Sequence, residues 1–137
     1  MHLPSITATY LAVLALLYAV LTVQVVRLRQ SNRAAFGDSG NTQLRSAIRA
    51  HAHFAEYVPI TTLMIAFLEM SGLPPLRVHL LMGALLLARL LHPLGMYAAP
   101  NTLQFRVGRA GGATLTIALL ITCAVQLLWR AWSGAGG

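Results

Sequence analysis

Four polar side chains recur at helical spacing where the second apolar stretch of the sequence begins. They are Arg45, Arg49, His53 and Glu56. Steps of four, four and three residues place them on one face of an α-helix. Glu56 lies about two turns past Arg49, roughly 10 Å farther along the helix axis. Because guanidinium groups bind carboxylates and a carboxylate accepts from ammonium or amide groups, this stripe favours a small, mostly anionic, zwitterionic ligand.

Further cations are predicted to lie at the same side of the membrane as this stripe. Arg89 and His92 are three residues apart and share a helix face, while Arg27 and Arg106 stand at the ends of two other apolar stretches. Two structural interpretations remain open beside ligand binding. Glu56 could form an internal ion pair that only orients the helices, and the arginines could set topology or reach lipid head groups.

Metal and disulfide chemistry have no support in the sequence. Cys123 is the only cysteine, and it lies inside an apolar stretch. One cysteine cannot form an internal disulfide, and no group of residues has metal-ligand spacing. We therefore expect no metal site.

The composition predicts a membrane protein. Hydrophobic residues make up 57% of the chain and charged residues only 9%, with a mean hydropathy of +0.67. Soluble domains carry about 25% charged residues. A net charge of +7 would indicate nucleic-acid binding in a soluble protein. Here the arginines lie between apolar stretches and form no basic helix face, so we expect no nucleic-acid partner and attribute the charge to membrane topology.

Four apolar stretches predict an all-α, integral membrane four-helix bundle in a single domain of residues 1–137. Each has about the 20 residues that a helix needs to cross hydrocarbon, and none alternates as a barrel strand would. The predicted spans are residues 4–26, 47–70, 76–96 and 107–129. Between the first two spans, residues 27–46 are polar and predict a flexible, solvated loop.

Arginine positions predict the orientation of the bundle. Eight of the ten arginines lie at or near the first and third loops, and only Arg77 and Arg130 lie on the other side. Positive residues collect on the cytoplasmic side of membranes. We therefore expect both of these loops in the cytoplasm and both termini on the non-cytoplasmic side. Glu69 and Arg77 could form a simple pair at the outer face.

The second apolar stretch resembles the signature of the MAPEG family, the membrane-associated proteins of eicosanoid and glutathione metabolism. The matching residues run from Arg49 to Pro59, with the sequence RAHAHFAEYVP. Arg89-Leu90-Leu91-His92 and Phe105-Arg106-Val107 also resemble family positions. Together with the four spans and the long first loop, the resemblance covers nearly the whole chain, and it is greatest to the bacterial inner-membrane branch.

The resemblance implies a homotrimer that binds glutathione between neighbouring subunits near the cytoplasmic face. Glutathione would serve as co-substrate for a transferase or peroxidase acting on a lipophilic electrophile, in contact with membrane lipids. Arg106 matches the arginine that stabilises the glutathione thiolate. The implied glutathione-binding residues are Arg27, Arg49, His53, Glu56, Tyr57, Arg89 and Tyr97.

Two positions depart from the family pattern. His53 replaces an asparagine, and Met96 stands where a tyrosine is expected, with Tyr97 beside it. A methionine cannot donate a hydroxyl proton. These departures favour an alternative function, a non-catalytic member of the same fold that binds lipid or glutathione. A small transporter would need a polar path across the whole membrane, whereas the polar residues here stop about halfway.

Overall fold

The computed structural model describes residues 3–98 and 102–134, apart from the side chain of Arg109. Within those residues the chain is helical and has no strand, so the predicted all-α fold is confirmed. The helical elements are α1 (Ser5–Ser31), α2 (Thr42–Met70), α3 (Pro75–Met96), α4 (Leu103–Phe105), a π-helical segment (Arg106–Gly111) and α5 (Gly112–Gly134). The last three follow one another directly and form a fourth long rod.

Three of the four rods are long and apolar enough to cross a membrane. They are Ser5–Ser31, Pro75–Met96 and Leu103–Gly134. The 29 residues of α2 are also long enough, but α2 does not reach the same hydropathy. Its interior carries Glu56 and Glu69, which lower the mean value. The composition of α2 is therefore that of a helix whose polar groups need partners other than lipid.

The first connection is shorter than predicted. α1 continues to Ser31 and α2 begins at Thr42, so the loop covers residues 32–41 rather than 27–46. Side-chain contacts hold this loop: Arg29 Nη1 donates to three of its carbonyls at 3.2–3.3 Å, and Asn41 Nδ2 donates to Asn32 at 2.8 Å. The predicted length of the loop is wrong because polar residues at both ends continue the helices.

An ion pair across this loop removes Arg45 from the ligand stripe predicted for α2. Arg45 Nε donates to the Asp38 carboxylate. This hydrogen bond, together with the Gly40 backbone N–H, holds the pKa of Asp38 below its usual value. Asn41 begins α2, since its side chain accepts from the Leu44 N–H at 2.9 Å.

The end of α2 holds the start of α1. Glu69 Oε1 accepts from the Ile6 N–H at 2.9 Å, and Oε2 accepts from the Thr7 N–H at 2.9 Å and the Thr7 hydroxyl at 2.6 Å. The predicted pairing of Glu69 with Arg77 is therefore wrong. The carboxylate satisfies backbone donors that the first turn of a helix leaves open, and it complements the positive end of the helix dipole.

Apolar side chains from all four rods fill the interior. The buried set includes Leu14 of α1, Ile65 of α2, Met82 and Leu85 of α3, and Cys123 of α5. Large apolar residues also cover the outside, among them Leu16, Leu63, Leu87 and Ile121. A surface of this kind is suited to lipid or to other helices. Near one end of the bundle the interior turns polar, around Arg89 and His92.

Candidate functional site

Arg89 ties three helices together at the polar end of the interior. Its side chain is 2% exposed and projects from α3. Nη1 donates to the His53 carbonyl of α2 at 3.3 Å, and Nη2 donates to the Thr116 hydroxyl of α5. Thr116 in turn donates to the Gly112 carbonyl at 2.7 Å. A planar guanidinium with several donors suits this bridging role better than a lysine would.

Aromatic and imidazole rings surround the guanidinium. The ring centroids of His53 and His92 are 5.0 Å apart in an edge-on arrangement, and those of His53 and Tyr57 are 6.1 Å apart and nearly parallel. His92 is buried, while His53 and Tyr57 are half-buried. With Arg89 these rings line a small pocket of about 40 Å³. Its lining residues are His53, Tyr57, Arg89, His92, Ala113, Thr116 and Ile117.

The outer face of α2 presents the charged part of the predicted stripe. His53 Nδ1 lies 3.7 Å from Glu56 Oε2, as their spacing of three residues predicts. The Glu56 side chain is 62% exposed, and Arg49 is exposed as well. Both charges are therefore accessible on the surface of a single chain. His53 connects them to the buried Arg89 through its backbone carbonyl.

The remaining predicted residues stand apart from this group. Arg27 of α1 and Arg106 of the π-helical segment are exposed, and their side chains make no hydrogen bond or ion pair with another described residue. Tyr97 follows α3 and is 40% exposed. Thus the structure brings His53, Glu56, Tyr57 and Arg89 together within one chain. It leaves the other four predicted residues, Arg27, Arg49, Tyr97 and Arg106, available to other partners.

Close backbone packing fixes the segment that carries Arg106. A Cβ atom added at Gly108 would lie 2.5 Å from the Cα and N atoms of Gly95. One added at Gly112 would lie 3.0 Å from the Ala88 carbonyl oxygen. The small residues at these two positions therefore allow a close helix approach. This approach occurs within one chain, between α3 and the fourth rod. π-Helical turns are rare and often occur at functional sites.

Two members of the buried cluster were not among the predicted site residues. For His92 the sequence indicates a helix face shared with Arg89 and a resemblance to a family position, but no role. Thr116 is not predicted from the sequence, and its hydroxyl within an apolar stretch is the one signal that could have indicated it. Its pairing with Arg89 could not be read from spacing, since 27 residues separate the two.

Comparisons with known proteins agree with the resemblance seen in the sequence. A sequence model of the MAPEG family matches residues 7–129. The inner membrane protein YecN of Escherichia coli strain K12 is 36% identical over 127 residues, which cover 93% of this chain and 94% of that protein. YecN of Escherichia coli O6:H1 matches to the same extent. No solved structure is significantly similar.

Proposed function

This chain belongs to the MAPEG family, and we propose that it is a glutathione-dependent transferase or peroxidase of the bacterial inner membrane. Its second substrate is a lipophilic electrophile that enters from the bilayer. The inner-membrane location is supported by the name of the Escherichia coli relatives and by three helices with the length and composition of membrane spans.

The observation that carries this proposal is the set of charged side chains left accessible on one chain. Glu56 is largely exposed and pairs only loosely with His53, while the side chains of Arg49 and Arg106 contact no charged partner among the described residues. Glutathione carries two carboxylates and one ammonium group. Arginines bind such carboxylates, and Glu56 accepts from the ammonium or an amide.

Arg106 is the catalytic residue in this proposal. A guanidinium beside the glutathione sulfur favours the thiolate over the thiol, and the thiolate is the nucleophile. In the transferase reaction the thiolate forms a carbon–sulfur bond and the electrophile loses its leaving group or takes up the proton. In the peroxidase reaction the thiolate attacks a hydroperoxide oxygen and the O–O bond breaks, which releases the alcohol and oxidises the thiol to a sulfenic acid. A second glutathione then reacts with the sulfenic acid to give glutathione disulfide and water.

The other residues implied by the family have different parts in the proposed glutathione site. Tyr57, Tyr97 and Arg27 offer hydroxyl and guanidinium donors at accessible positions. Arg89 is buried behind His53 and Tyr57, so we expect it to act by holding the His53 carbonyl rather than by touching the tripeptide. The open side of α2 leaves room for a second subunit, which fits a homotrimer with glutathione between subunits.

The test is glutathione conjugation to an aryl halide by the purified protein. We expect Arg106→Ala to lower the rate about 10- to 100-fold at neutral pH, the loss that corresponds to raising the thiol pKa by about one to two units. Arg77→Ala is the control, since Arg77 is an exposed arginine at the opposite end of the bundle. Equal rates for wild type and Arg106→Ala would discard the assigned role.

A non-catalytic binder is the second candidate, and one structural observation favours it. Met96 stands at the expected tyrosine position and packs against the hydrophobic core, so this position offers no hydroxyl to glutathione. This candidate predicts no turnover. Thermal unfolding distinguishes a glutathione-binding protein from a lipid-binding one. A melting temperature raised by millimolar glutathione indicates glutathione binding, and no change favours a lipid ligand.

A further inference from the structure

Two arginines lie at the end of the bundle opposite the proposed glutathione site. Of the ten arginines in the chain, only Arg77 and Arg130 belong to this end. Both line one groove, which we call the outer groove, between the start of α3 and the end of α5. Positive residues here oppose the predicted orientation of the bundle, so membrane topology does not account for them.

Both guanidinium groups keep hydrogen-bond donors unused among the described residues. Arg77 is exposed, and its side chain makes no hydrogen bond or ion pair with those residues. Arg130 is half-buried, and its Nη1 donates to the Ser71 carbonyl at 2.6 Å and to the Ser71 hydroxyl at 2.9 Å. None of the three acids of the chain is among the residues that line the groove. This positive charge favours an anion, and guanidinium groups suit phosphate oxygens in particular.

Along α5 the outer groove changes from charged to polar to apolar. Gln126 lies one turn deeper than Arg130, about 6 Å along the helix axis. It is half-buried, and its side-chain amide makes no hydrogen bond with the described residues. Next to it, Val125 is 59% exposed, and Ile121 continues this apolar surface one turn deeper. A glycerophospholipid has the same order of groups, namely phosphate, glycerol ester and acyl chain. A free phosphate ion would use only the first of them.

Tryptophans indicate that the outer groove lies at the level of the lipid head groups. Trp129 lines the groove and is 75% exposed, and Trp132 beyond it is 87% exposed. Tryptophan side chains concentrate at the interface between membrane and water. The groove has a volume of about 570 Å³, within the range of roughly 300–1,000 Å³ that is typical of small-molecule sites. A phosphate with its glycerol therefore fits.

We propose that the outer groove binds an anionic glycerophospholipid from the leaflet at this end of the bundle. Arg77 and Arg130 donate to its phosphate oxygens, and the Gln126 amide donates to an ester carbonyl. One acyl chain lies along Val125 and Ile121. A zwitterionic lipid is disfavoured because its ammonium group would bring a further positive charge beside the two arginines. The groove shares no residue with the proposed glutathione site, so the two proposals stand independently.

The tryptophan in the groove provides a local test of lipid contact. The full chain with Trp132→Phe keeps Trp129 as its single tryptophan, because the chain has two. In phosphatidylcholine vesicles, its fluorescence is measured with a low fraction of brominated phosphatidylglycerol or of brominated phosphatidylcholine. We expect stronger quenching by the phosphatidylglycerol. Equal quenching by the two lipids would overturn the proposal, since the groove would then hold ordinary bilayer lipid.

The remaining tryptophan supplies the matched control. Trp129→Phe keeps only Trp132, which is exposed at the same end but does not line the groove. Its preference for phosphatidylglycerol should be weaker than that of Trp129. A preference of the same size would contradict the proposal, because it would reflect a general attraction of anionic lipid to this end of the protein.

A substitution of Arg77 tests the charge in the groove. Arg77→Gln removes one guanidinium group without breaking a side-chain contact among the described residues. We expect the preference of Trp129 for phosphatidylglycerol, expressed as a ratio of association constants, to fall about fivefold. Arg33→Gln, at an exposed arginine of the first loop, should leave this ratio unchanged. An unaltered ratio in Arg77→Gln would refute the site.

Inorganic phosphate separates a lipid site from a site for the free ion. Sodium phosphate, added at constant ionic strength, should leave the preference of Trp129 for phosphatidylglycerol intact, because the free ion lacks the glycerol and acyl contacts. Loss of the preference in phosphate would show that the groove binds the ion alone, and the lipid proposal would fail.

Discussion

The Glu69 carboxylate fixes the start of α1 from the end of α2. Replacing it by alanine leaves the N–H groups of Ile6 and Thr7 without their acceptors. We expect Glu69→Ala to lower the free energy of unfolding by about 1–2 kcal/mol, as the loss of a helix cap does. Thermal unfolding in detergent measures this change. The matched control is Glu56→Ala, an exposed carboxylate on the same helix. Equal losses in both variants would show that the cap is not stabilising.

Side chains on one helix were the predictable part of the site. The spacing of His53 and Glu56 predicts their contact, because helical geometry alone brings such neighbours together. Partners on other helices could not be predicted in this way. The sequence allows Glu69 to pair with nearby Arg77, but Glu69 contacts residues more than 60 positions earlier in the chain. The Thr116 partner of Arg89 was missed for the same reason.

At the scale of elements, the π-helical segment depends on one glycine contact. Because an added Cβ at Gly108 would overlap backbone atoms of Gly95, Gly108→Ala must push the segment away from α3. We expect a loss of about 1–3 kcal/mol in the free energy of unfolding, the usual range for overpacking. Since Arg106 begins the same segment, glutathione conjugation should fall as well. Thermal unfolding and the conjugation rate are the two measurements.

The same segment supplies its own control for that experiment. Gly111 is also π-helical, but a Cβ added there meets nothing within 4 Å. Gly111→Ala should therefore leave the conjugation rate unchanged and the stability equal or slightly higher, because alanine is the better helix former. If Gly108→Ala behaved like Gly111→Ala, close packing would not be what positions Arg106.

Hydropathy predicted the helical elements, the end of α2 and both ends of α3, but not the end of α1, the start of α2 or the ends of the fourth rod. Hydropathy marks the part of a helix that lies in lipid, and α1 and α2 both continue several residues beyond that part. The π-helical turn had no signal in the sequence, and its Gly108 packs against Gly95 of another rod, a contact that spacing along one helix does not predict. The polar residues of the predicted site, such as His53 and Glu56, also lower the mean hydropathy of α2.

In the molecule as a whole, most arginines lie at one end of the helix bundle and few lie at the other. At one end, the last turns of α1 carry Arg27 and Arg29, and the first turns of α2 carry Arg45 and Arg49. At the other end Arg77 starts α3, and Arg130 Nη1 donates to the Ser71 carbonyl at 2.6 Å. This separation follows from helices of similar length that alternate in direction. It gives a physical basis for the predicted orientation, because charge asymmetry between loops directs insertion.

Reporter fusions test that orientation. Alkaline phosphatase fused after residue 137 should be active, because this enzyme folds only outside the cytoplasm, and green fluorescent protein at the same position should be dark. The control inserts each reporter after Gly40 in the first loop, where the opposite pattern is expected. Replacing Arg27, Arg29 and Arg33 by glutamine should shift part of the population to the inverted topology, since cytoplasmic positive charge retains a loop. A fluorescent fusion at the C-terminus of the unaltered chain would show that the termini face the cytoplasm.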